Sequence, residues 1–386
     1  MKLQPLTVLS GLEEDEVVGS FLRLLNGETE LPYFCRELYR KNAQDDLTAY
    51  VCARILTDEN PFSRAAAANE AVSVHLIRAY RRDLGILYRA LFSYTPISEL
   101  FSVRPAKPPF FGAWDNDETV EAILAFHRTA GYGVYVDHKA FRFEEGKLVP
   151  VVSASDISLA DLKGYEHEKQ VIDDNLSAFL KGLPYSNMLL YGDRGTGKSS
   201  TVHAMLNKYC AEGLRLVELP KEHLCDLTAL KRVLASVPLK FIIFIDDLSL
   251  EENDNKISTL KASLEGSASE STDNTLITAT SNRRHIVKES VSDRENSLFA
   301  NDQMQEQLSL SDRFGLTVYF STTGKAEYLD IVRKLADDIR LEYDREALCA
   351  LAERWALFKG GRSPRRARQF IDLAYAYVSQ GKEITF

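Results

Sequence analysis

The residues with the clearest chemical signature lie in the run 192–199, which reads GDRGTGKS. This run fits the pattern G-x-x-x-x-G-K-[S/T], in which a glycine-rich backbone presents successive amide groups to phosphate. Lys198 is expected to reach the β- and γ-phosphates, and the Ser199 hydroxyl is expected to bind Mg²⁺. We therefore predict a nucleotide-binding loop formed by Gly192, Asp193, Arg194, Gly195, Thr196, Gly197, Lys198, Ser199 and Ser200.

Two adjacent carboxylates, Asp246 and Asp247, follow the apolar run 241–245. Five consecutive apolar residues predict a buried strand, and the carboxyl end of such a strand opens on the ligand crevice of a parallel sheet. We predict that Asp246 holds Mg²⁺ and that Asp247 orients and deprotonates the attacking water. Glu251 or Glu252 is close enough in sequence to compete with Asp247 for the second role.

A polar side chain also ends the next apolar run, where 279–282 reads ATSN. Because 276–279 predicts another strand, Asn282 is expected at the same edge of the sheet, between the glycine-rich loop and the acidic pair. There its amide would be within reach of the γ-phosphate or of the attacking water. The three polar groups together predict one site for a nucleoside triphosphate and Mg²⁺.

Alternating strands and helices must position these groups. From about residue 157 the sequence predicts strands separated by helical stretches, which implies a mostly parallel sheet covered on both faces. A helix is predicted to begin after Gly197, so that its amino end adds to the phosphate site. The polar stretch 286–310 predicts an irregular excursion. The predicted strands span 187–191, 214–219, 241–245, 276–279 and 316–320.

The remainder of the chain is predicted to be mainly helical, with a long helix over 63–94 and another near 118–129. Two strands over 133–143 and 147–152 flank Glu145-Gly146 and predict a β-hairpin. After residue 324, three helices are predicted over 326–341, 345–357 and 364–378. The chain is thus divided into a helical amino-terminal domain with the hairpin (1–156), a nucleotide-binding domain (157–324) and a helical lid (325–386).

Composition and charge exclude several classes of protein. The 386 residues include 47 basic and 56 acidic side chains, and the net charge of −9 argues against a protein that coats nucleic acid or anionic lipid. No apolar run approaches the ~20 residues of a membrane helix, and the amino terminus lacks the form of a secretory signal. The five cysteines are scattered and form no CxxC pair. We expect a cytoplasmic protein with no membrane partner.

Further runs of sequence are similar to those of a known superfamily. The run 310–314, LSDRF, resembles the box that carries an arginine finger in AAA+ ATPases, and 361–368, GRSPRRAR, resembles their sensor 2. The run 159–166, LADLKGYE, is similar to the segment that lies against adenine in these proteins. The resemblance implies an α/β P-loop NTPase fold of AAA+ type, with a parallel sheet, a C-terminal helical lid and, in this chain, a mainly helical N-terminal domain containing a β-hairpin.

The resemblance also implies roles for single residues. Gly164 and Tyr165 would lie against adenine, and Asn282 would be the residue called sensor 1. Arg365 would be sensor 2 and would contact the phosphates, with Arg366 as the alternative.

Arg313 would be the arginine finger, supplied to the site of a neighbouring subunit. Arg283 and Arg284 are weaker candidates for that position. These roles imply ATP and Mg²⁺ as ligands, a homo-oligomer whose sites lie at subunit interfaces, and an unknown protein client.

A closer resemblance rests on three runs together, 162–170, 189–200 and 308–316. They are similar to a bacterial AAA+ family of predicted ATPases described only as a domain of unknown function. The helical run 61–72 fits the same family, so the resemblance is expected to cover nearly the whole chain.

One departure from the superfamily leaves several functions open. Many AAA+ proteins carry Asp-Glu where this chain has Asp246-Asp247, although replication initiators and helicase loaders often carry Asp-Asp, so the resemblance leaves the turnover rate open. The leading interpretation is an ATPase that drives conformational change on a client. One alternative is a nucleic-acid-associated helicase loader or initiator, which the arginine cluster 365–368 favours and the net charge opposes. Another is a switch that binds ATP without hydrolysing it.

Overall fold

The computed structural model describes residues 3–92, 104–153, 155–248, 250–251, 260–261, 264, 274–282, 287–288 and 313–385. The chain divides into two compact units. The amino-terminal unit comprises Met1–Lys139 with Ala211–Gly213 and Val237–Leu239, and the second unit comprises Ala140–Cys210, Leu214–Ser236 and Lys240–Phe386.

The amino-terminal unit is helical in the residues that the structure describes. Its core contains large side chains that are almost fully buried, including Phe21, Phe34, Phe62 and Tyr80. The buried carboxylate of Asp83 anchors the start of the chain by accepting hydrogen bonds from main-chain amides in the segment 7–9. The helices are α1 (Glu16–Leu25), α2 (Leu31–Arg40), α3 (Leu47–Thr57), α4 (Pro61–Ala67), α5 (Val74–Phe92), α6 (Asp117–Ala130) and α7 (Val134–Asp137).

A seven-stranded sheet organises the second unit. Its strand order is β2-β1-β4-β5-β7-β3-β9, and every neighbouring pair is parallel except β1 with β2. The central strands β5 and β7 are buried along almost their whole length, as expected for a parallel sheet covered on both faces, although β7 contains three threonines and a serine. The strands are β1 (Ala140–Glu144), β2 (Lys147–Pro150), β3 (Met188–Gly192), β4 (Leu214–Glu218), β5 (Lys240–Ile245), β7 (Thr275–Ser281) and β9 (Leu316–Phe320). Two further short strands, β6 (Leu250–Glu251) and β8 (Val287–Lys288), pair separately.

Helices flank this sheet and follow it. The last three pack on each other around a core that includes Tyr328, Trp355 and Phe370. None of the helices in the described ranges is long and apolar enough to cross a membrane. The described helices of this unit are α8 (Glu166–Leu180), α9 (Lys198–Tyr209), α10 (Leu227–Ala235), α11 (Lys325–Asp338), α12 (Arg345–Phe358) and α13 (Pro364–Ser379). The division of this unit into a nucleotide-binding part and a lid at residue 324 stays a prediction.

The hairpin differs from its prediction in extent and in place. Its first strand begins at Ala140, because Gly131 and Gly133 adopt positive φ angles of 80° and 54° and residues 134–137 form the short helix α7. The strand β1 pairs in parallel with β4, from Ala140 with Leu216 onward. The hairpin therefore extends the sheet of the second unit and does not belong with the amino-terminal helices.

The long helix predicted over 63–94 is two helices. The helix α4 ends because Asn69 turns to a φ of 54°, and the amides of Asn69 and Glu70 bond back to carbonyls of the last turn. Asparagine tolerates this left-handed conformation, which commonly ends helices. The helix α5 then starts at Val74, and residues 93–94 lie outside the described ranges.

Candidate functional site

A cleft of about 600 Å³ opens at the carboxyl edge of the sheet. It is lined by the segment 157–165, Lys169 of α8, the glycine-rich loop with the start of α9, the ends of β5, β7 and β9, and the helices α11 and α13. Its volume is in the range of small-molecule sites in proteins. Of the predicted residues, 194–200 of the nucleotide loop, the acidic pair, Asn282 and Arg365 line this cleft, whereas Gly192 and Asp193 do not.

The backbone of the glycine-rich loop requires its glycines. Gly192, Gly195 and Gly197 have φ angles of 134°, 80° and 99°, which residues with a side chain rarely adopt. A Cβ atom on Gly192 would also lie only 2.1 Å from the carbonyl oxygen of Phe320 in β9. The loop leads directly into α9, whose amino end begins at Lys198. Amides of such a turn and of a helix amino terminus form an anion site that suits phosphate.

Lys198 is buried at the centre of the cleft. Its Nζ donates hydrogen bonds to the carbonyl oxygens of Gly192 at 3.0 Å and Asp193 at 2.8 Å, and to Oδ1 of Asn282 at 3.3 Å. These three bonds hold the ammonium group between the glycine-rich loop and the end of β7. Oxygens of a phosphate could replace them without moving the side chain far.

Burial lowers the pKa of the Lys198 ammonium below its usual value. The carboxylates of Asp193, Asp246 and Asp247 oppose this shift, and the charge of Arg365 adds to it. An incoming phosphate would stabilise the charged form further, since a nearby opposite charge raises the pKa of an ammonium group.

Ser199 and Asp246 form the part of the cleft that could hold a metal ion. The Ser199 hydroxyl donates to Oδ1 of Asp246 at 2.6 Å. One hydroxyl and one carboxylate are oxygen ligands of the kind that Mg²⁺ uses when it also binds substrate phosphates. The described ranges contain no group of three His, Cys, Asp or Glu that could hold a metal without such help. The donor set therefore fits a magnesium ion that arrives with a nucleotide.

Asp247 turns back toward Asn282. The Asn282 Nδ2 donates to Oδ1 of Asp247 at 2.5 Å, and Asp247 has a positive φ of 50°. Glu252 and the side chain of Glu251, the alternative candidates for the base, lie outside the described residues.

The cleft also has apolar lining residues at one end, where a Cβ atom on Gly164 would lie 3.2 Å from Cδ1 of Ile331 and the rings of Tyr165 and Phe320 are 5.2 Å apart. Ile157, Leu162 and Phe320 line it together with Ile331 and Leu335 of α11. Such walls suit the flat face of a nucleobase.

The predicted adenine-side residues, Gly164 and Tyr165, stand at this end with φ angles of 84° and 58°. The Tyr165 hydroxyl donates to the carbonyl oxygen of Ser321 at 2.6 Å and lies 3.0 Å from Oγ1 of Thr323. Tyr165 thus ties the wall of the cleft to the connection between β9 and α11.

The two arginines proposed for sensor 2 point to different places. The main-chain amide of Arg365 donates to the carbonyl oxygen of Gly195 at 3.1 Å, and Arg365 lines the cleft. The guanidinium of Arg366 instead donates to the carbonyl oxygen of Gly361, outside the cleft. The geometry therefore favours Arg365 over Arg366 for a contact with phosphate.

Arg313 does not line the cleft. It precedes β9, whose first residue Leu316 pairs with Met188 and whose last residue Phe320 pairs with Gly192 of the glycine-rich loop. At ~3.3 Å per residue, the amino end of β9 is about 13 Å from the loop edge. Arg313 thus lies near the opposite edge of the sheet from its own cleft. Arg283, Arg284 and the rest of the LSDRF run before Arg313 lie outside the described residues.

The sequence analysis assigned no role in this site to Thr280 or to Arg368 individually, and both line the cleft. Thr280 hydrogen-bonds to both members of the acidic pair, and Arg368 donates to the carbonyl oxygen of Asp161 at 3.2 Å. The spacing of Arg365 and Arg368 puts them on one face of α13, which was a signal for the second arginine. For Thr280 there was no such signal, because its contacts cross from one strand to another.

The mostly parallel sheet, the glycine-rich loop and the helix that follows it define an α/β P-loop NTPase fold. The family model described as "Protein of unknown function (DUF815)" matches residues 136–378, which is more than half of the chain. The chain belongs to this family. The run 61–72, which the sequence analysis also assigned to it, lies outside the matched residues.

The comparison with solved structures gives matches of low sequence identity. The Holliday junction branch migration motor RuvB of Thermotoga maritima is 16% identical with a TM-score of 0.39, over 59% of this chain and 68% of that chain. Two variants of the same protein give TM-scores of 0.40 and 0.41 at 16% identity, with the same coverage of both chains. No curated protein sequence matches this chain significantly. The family assignment rests on the match over 136–378.

Proposed function

We propose that this chain binds ATP with Mg²⁺ in the cleft and hydrolyses it. The observation that carries the proposal is the contact of 2.6 Å between Ser199 Oγ and Asp246 Oδ1, directly beside the buried ammonium of Lys198. A hydroxyl, a carboxylate and an ammonium group at the mouth of a glycine-rich loop are the groups that a P-loop uses for a triphosphate and its metal.

Each part of the nucleotide has a matching wall in the cleft. The amides of the loop and of α9 would bind the phosphates, and Lys198 would exchange its carbonyl partners for phosphate oxygens. The apolar end near Ile331 would take the base. Ser199 and Asp246 would hold Mg²⁺, which would offset the negative charge of the phosphates.

Asp247 and Asn282 are the groups that we assign to the hydrolytic water. The carboxylate of Asp247 would accept its proton, and Asn282, which already spans Asp247 and Lys198, would hold the water against the γ-phosphate. The Arg365 guanidinium would contact the phosphates from the side of α13.

A second subunit is needed to complete this site. Because Arg313 lies near the opposite edge of the sheet, we assign it to the cleft of a neighbouring copy in a homo-oligomer. Hydrolysis would then depend on assembly and could be coupled to movement of a protein client. A nucleic-acid partner is the less favoured alternative, given the net charge of −9.

Phosphate release from Mg-ATP, measured over a range of protein concentrations, tests this function. We expect turnover to rise with assembly and Asp247→Asn to lower it about 100-fold or more, since a general base contributes rate factors of that order. The affinity for ADP should not change in this variant. The exposed Asp174 on α8 supplies a control, and Asp174→Asn should behave as the wild type.

A switch that binds ATP without hydrolysing it is the second candidate. The hydrogen bond from Asn282 to the Asp247 carboxylate favours it, because this bond would have to break before the short aspartate side chain could accept a proton from a water. Tight ATP binding with no phosphate release at any protein concentration would support the switch and contradict the hydrolase.

A further inference from the structure

Thr280 makes three hydrogen bonds to the segment that carries the acidic pair. It is buried near the end of β7, next to β5 in the sheet. Its Oγ1 donates to Oδ1 of Asp246 at 2.5 Å and accepts from the amide of Asp247 at 2.9 Å. Its carbonyl oxygen accepts from the amide of Leu248 at 2.7 Å. One residue of β7 therefore holds the end of β5.

The bonds of the hydroxyl act at the two points where the acidic pair needs support. Asp247 has a φ of 50°, a conformation that is costly for a residue with a side chain and that persists only where its surroundings fix it. The bond from the Asp247 amide to Thr280 is one such restraint. The other bond fixes a carboxylate oxygen of Asp246, whose second donor, Ser199, would have to turn toward a metal ion.

We propose that Thr280 is a positioning residue that sets the orientation of the Asp246 carboxylate and the turn at Asp247 for the metal-dependent reaction. The inference rests on the proposed function of this cleft. When the Ser199 hydroxyl turns from Asp246 to the metal ion, the hydrogen bond from Thr280 still fixes the orientation of the Asp246 carboxylate. A site without the Thr280 hydroxyl should therefore bind the nucleotide through the loop, yet use the metal poorly.

The same strand offers a matched control in Thr278. It precedes Thr280 by two residues, so both side chains project to the same face of β7. Thr278 is fully buried, and its hydroxyl has no hydrogen-bond partner among the residues described. Valine has the shape of threonine without the hydroxyl, so either replacement removes one buried hydroxyl. Only the replacement at position 280 removes hydrogen bonds to the acidic pair.

The test compares Thr280→Val, Thr280→Ser and Thr278→Val with the wild type. Calorimetry gives the affinity for ADP with and without Mg²⁺, and phosphate release gives turnover and the half-saturating Mg²⁺ concentration. For Thr280→Val we expect unchanged affinity for metal-free ADP, a raised half-saturating Mg²⁺ concentration, and turnover lowered about 10- to 100-fold, as for a lost bond to a charged group. Thr280→Ser should restore most of the turnover and most of the Mg²⁺ dependence of the wild type. Thr278→Val should match the wild type. Thr280→Ala replaces the valine variant if that variant does not fold.

The outcomes separate this inference from the proposed function. If the wild type binds no nucleotide, both are overturned. If the wild type hydrolyses ATP and Thr280→Val has the same turnover and Mg²⁺ dependence, the function stands and the role of Thr280 is overturned. If the wild type binds nucleotide but does not hydrolyse ATP, the role of Thr280 is judged from the increase in ADP affinity when Mg²⁺ is added. An increase in Thr280→Val equal to that of the wild type would contradict the inference.

Discussion

At the scale of single residues, neighbouring arginines of one helix face different surroundings. Arg365 lines the cleft and is bonded through its amide to Gly195, whereas Arg366 donates to the carbonyl oxygen of Gly361. Arg365 is therefore better placed than Arg366 to contact a phosphate in the cleft. The contrast makes the pair a test of which arginine senses the nucleotide.

We predict that Arg365→Ala lowers ATP turnover about 10- to 100-fold, because a charge-assisted bond to phosphate is lost. Arg366→Ala should keep the nucleotide affinity and turnover of the wild type. Steady-state phosphate release by both variants, with their ADP affinities from calorimetry, gives the comparison. Equal losses in the two variants would contradict the assignment to Arg365.

The sequence was enough to predict those residues of the candidate site that follow one another along the chain. The loop 192–199 is contiguous, and the acids directly follow a buried strand, so pattern and position sufficed. Thr280 acts through hydrogen bonds between two strands, and these depend on strand order and register. The choice between Arg365 and Arg366 needed the observed direction of each side chain, which no spacing supplies.

At the scale of elements, the close contact of β3 with β9 sets the position of the glycine-rich loop. A Cβ atom on Gly192 would lie 2.1 Å from the carbonyl oxygen of Phe320, and the φ of 134° disfavours any side chain. Gly324, by contrast, has a negative φ of −65° and open space around a built Cβ.

We predict that Gly192→Ala lowers the free energy of unfolding by about 2 to 4 kcal/mol, since overpacking and an unfavourable φ add together. Gly324→Ala should stay within about 1 kcal/mol of the wild type. Urea unfolding followed by circular dichroism measures both variants. A Gly192→Ala protein as stable as the wild type would show that the strands separate easily at this point.

A buried histidine, His127, lies in the last turn of helix α6. The Nδ1 of His127 is 2.8 Å from the carbonyl oxygen of Gly131, and Nε2 has no hydrogen-bond partner among the described residues. Burial lowers the pKa of His127 below its ordinary value of 6.5, against the opposing effect of the Gly131 carbonyl. The unfolded chain therefore binds a proton at a higher pH than the folded protein does.

It follows that the contribution of His127 to stability is complete above about pH 6.5 and is lost as the pH falls toward its folded-state pKa. We predict that His127→Gln flattens this part of the pH dependence, whereas His75→Gln, at an exposed site, leaves it unchanged. Trp114 fluorescence during urea unfolding, in a Trp355→Phe background, reports on the amino-terminal unit. An unchanged slope in His127→Gln would contradict the prediction.

Element types were easier to predict than element limits. Most strands of the sheet lie within two residues of their predicted bounds, because apolar runs between polar turns define them well. The errors fall at residues with positive φ, where Asn69 ends α4 and Gly133 precedes α7. A pattern of apolar residues does not register such a turn, and so the pattern predicted one long helix and an overlong strand.

At the scale of the whole molecule, we proposed that Arg313, which does not line its own cleft, serves the cleft of a neighbouring copy. Two variants that damage different halves of a shared site can then repair each other. Lys198→Ala would damage the loop of its own subunit, and Arg313→Ala would damage only the site of the neighbour.

We predict that each of these variants alone has little turnover and that an equal mixture recovers about a quarter of the wild-type sites, because random assembly pairs intact halves that often. A mixture of Lys198→Ala with Asp247→Asn should recover nothing, since both changes damage the subunit's own cleft. Phosphate release after mixing and reassembly is the measurement. No recovery in the first mixture would contradict a finger supplied by a neighbour.

The central claim is that the glycine-rich loop and Asp246 together hold a nucleotide and Mg²⁺. Calorimetric titration of the folded protein with ADP and with ATP, in the presence and absence of Mg²⁺, tests it most directly. We expect binding by the wild type and by Lys208→Ala, which changes an ammonium of the same helix outside the cleft, and about 10- to 100-fold weaker binding by Lys198→Ala. Absence of binding by the folded wild type, or equal binding by Lys198→Ala, would contradict the claim.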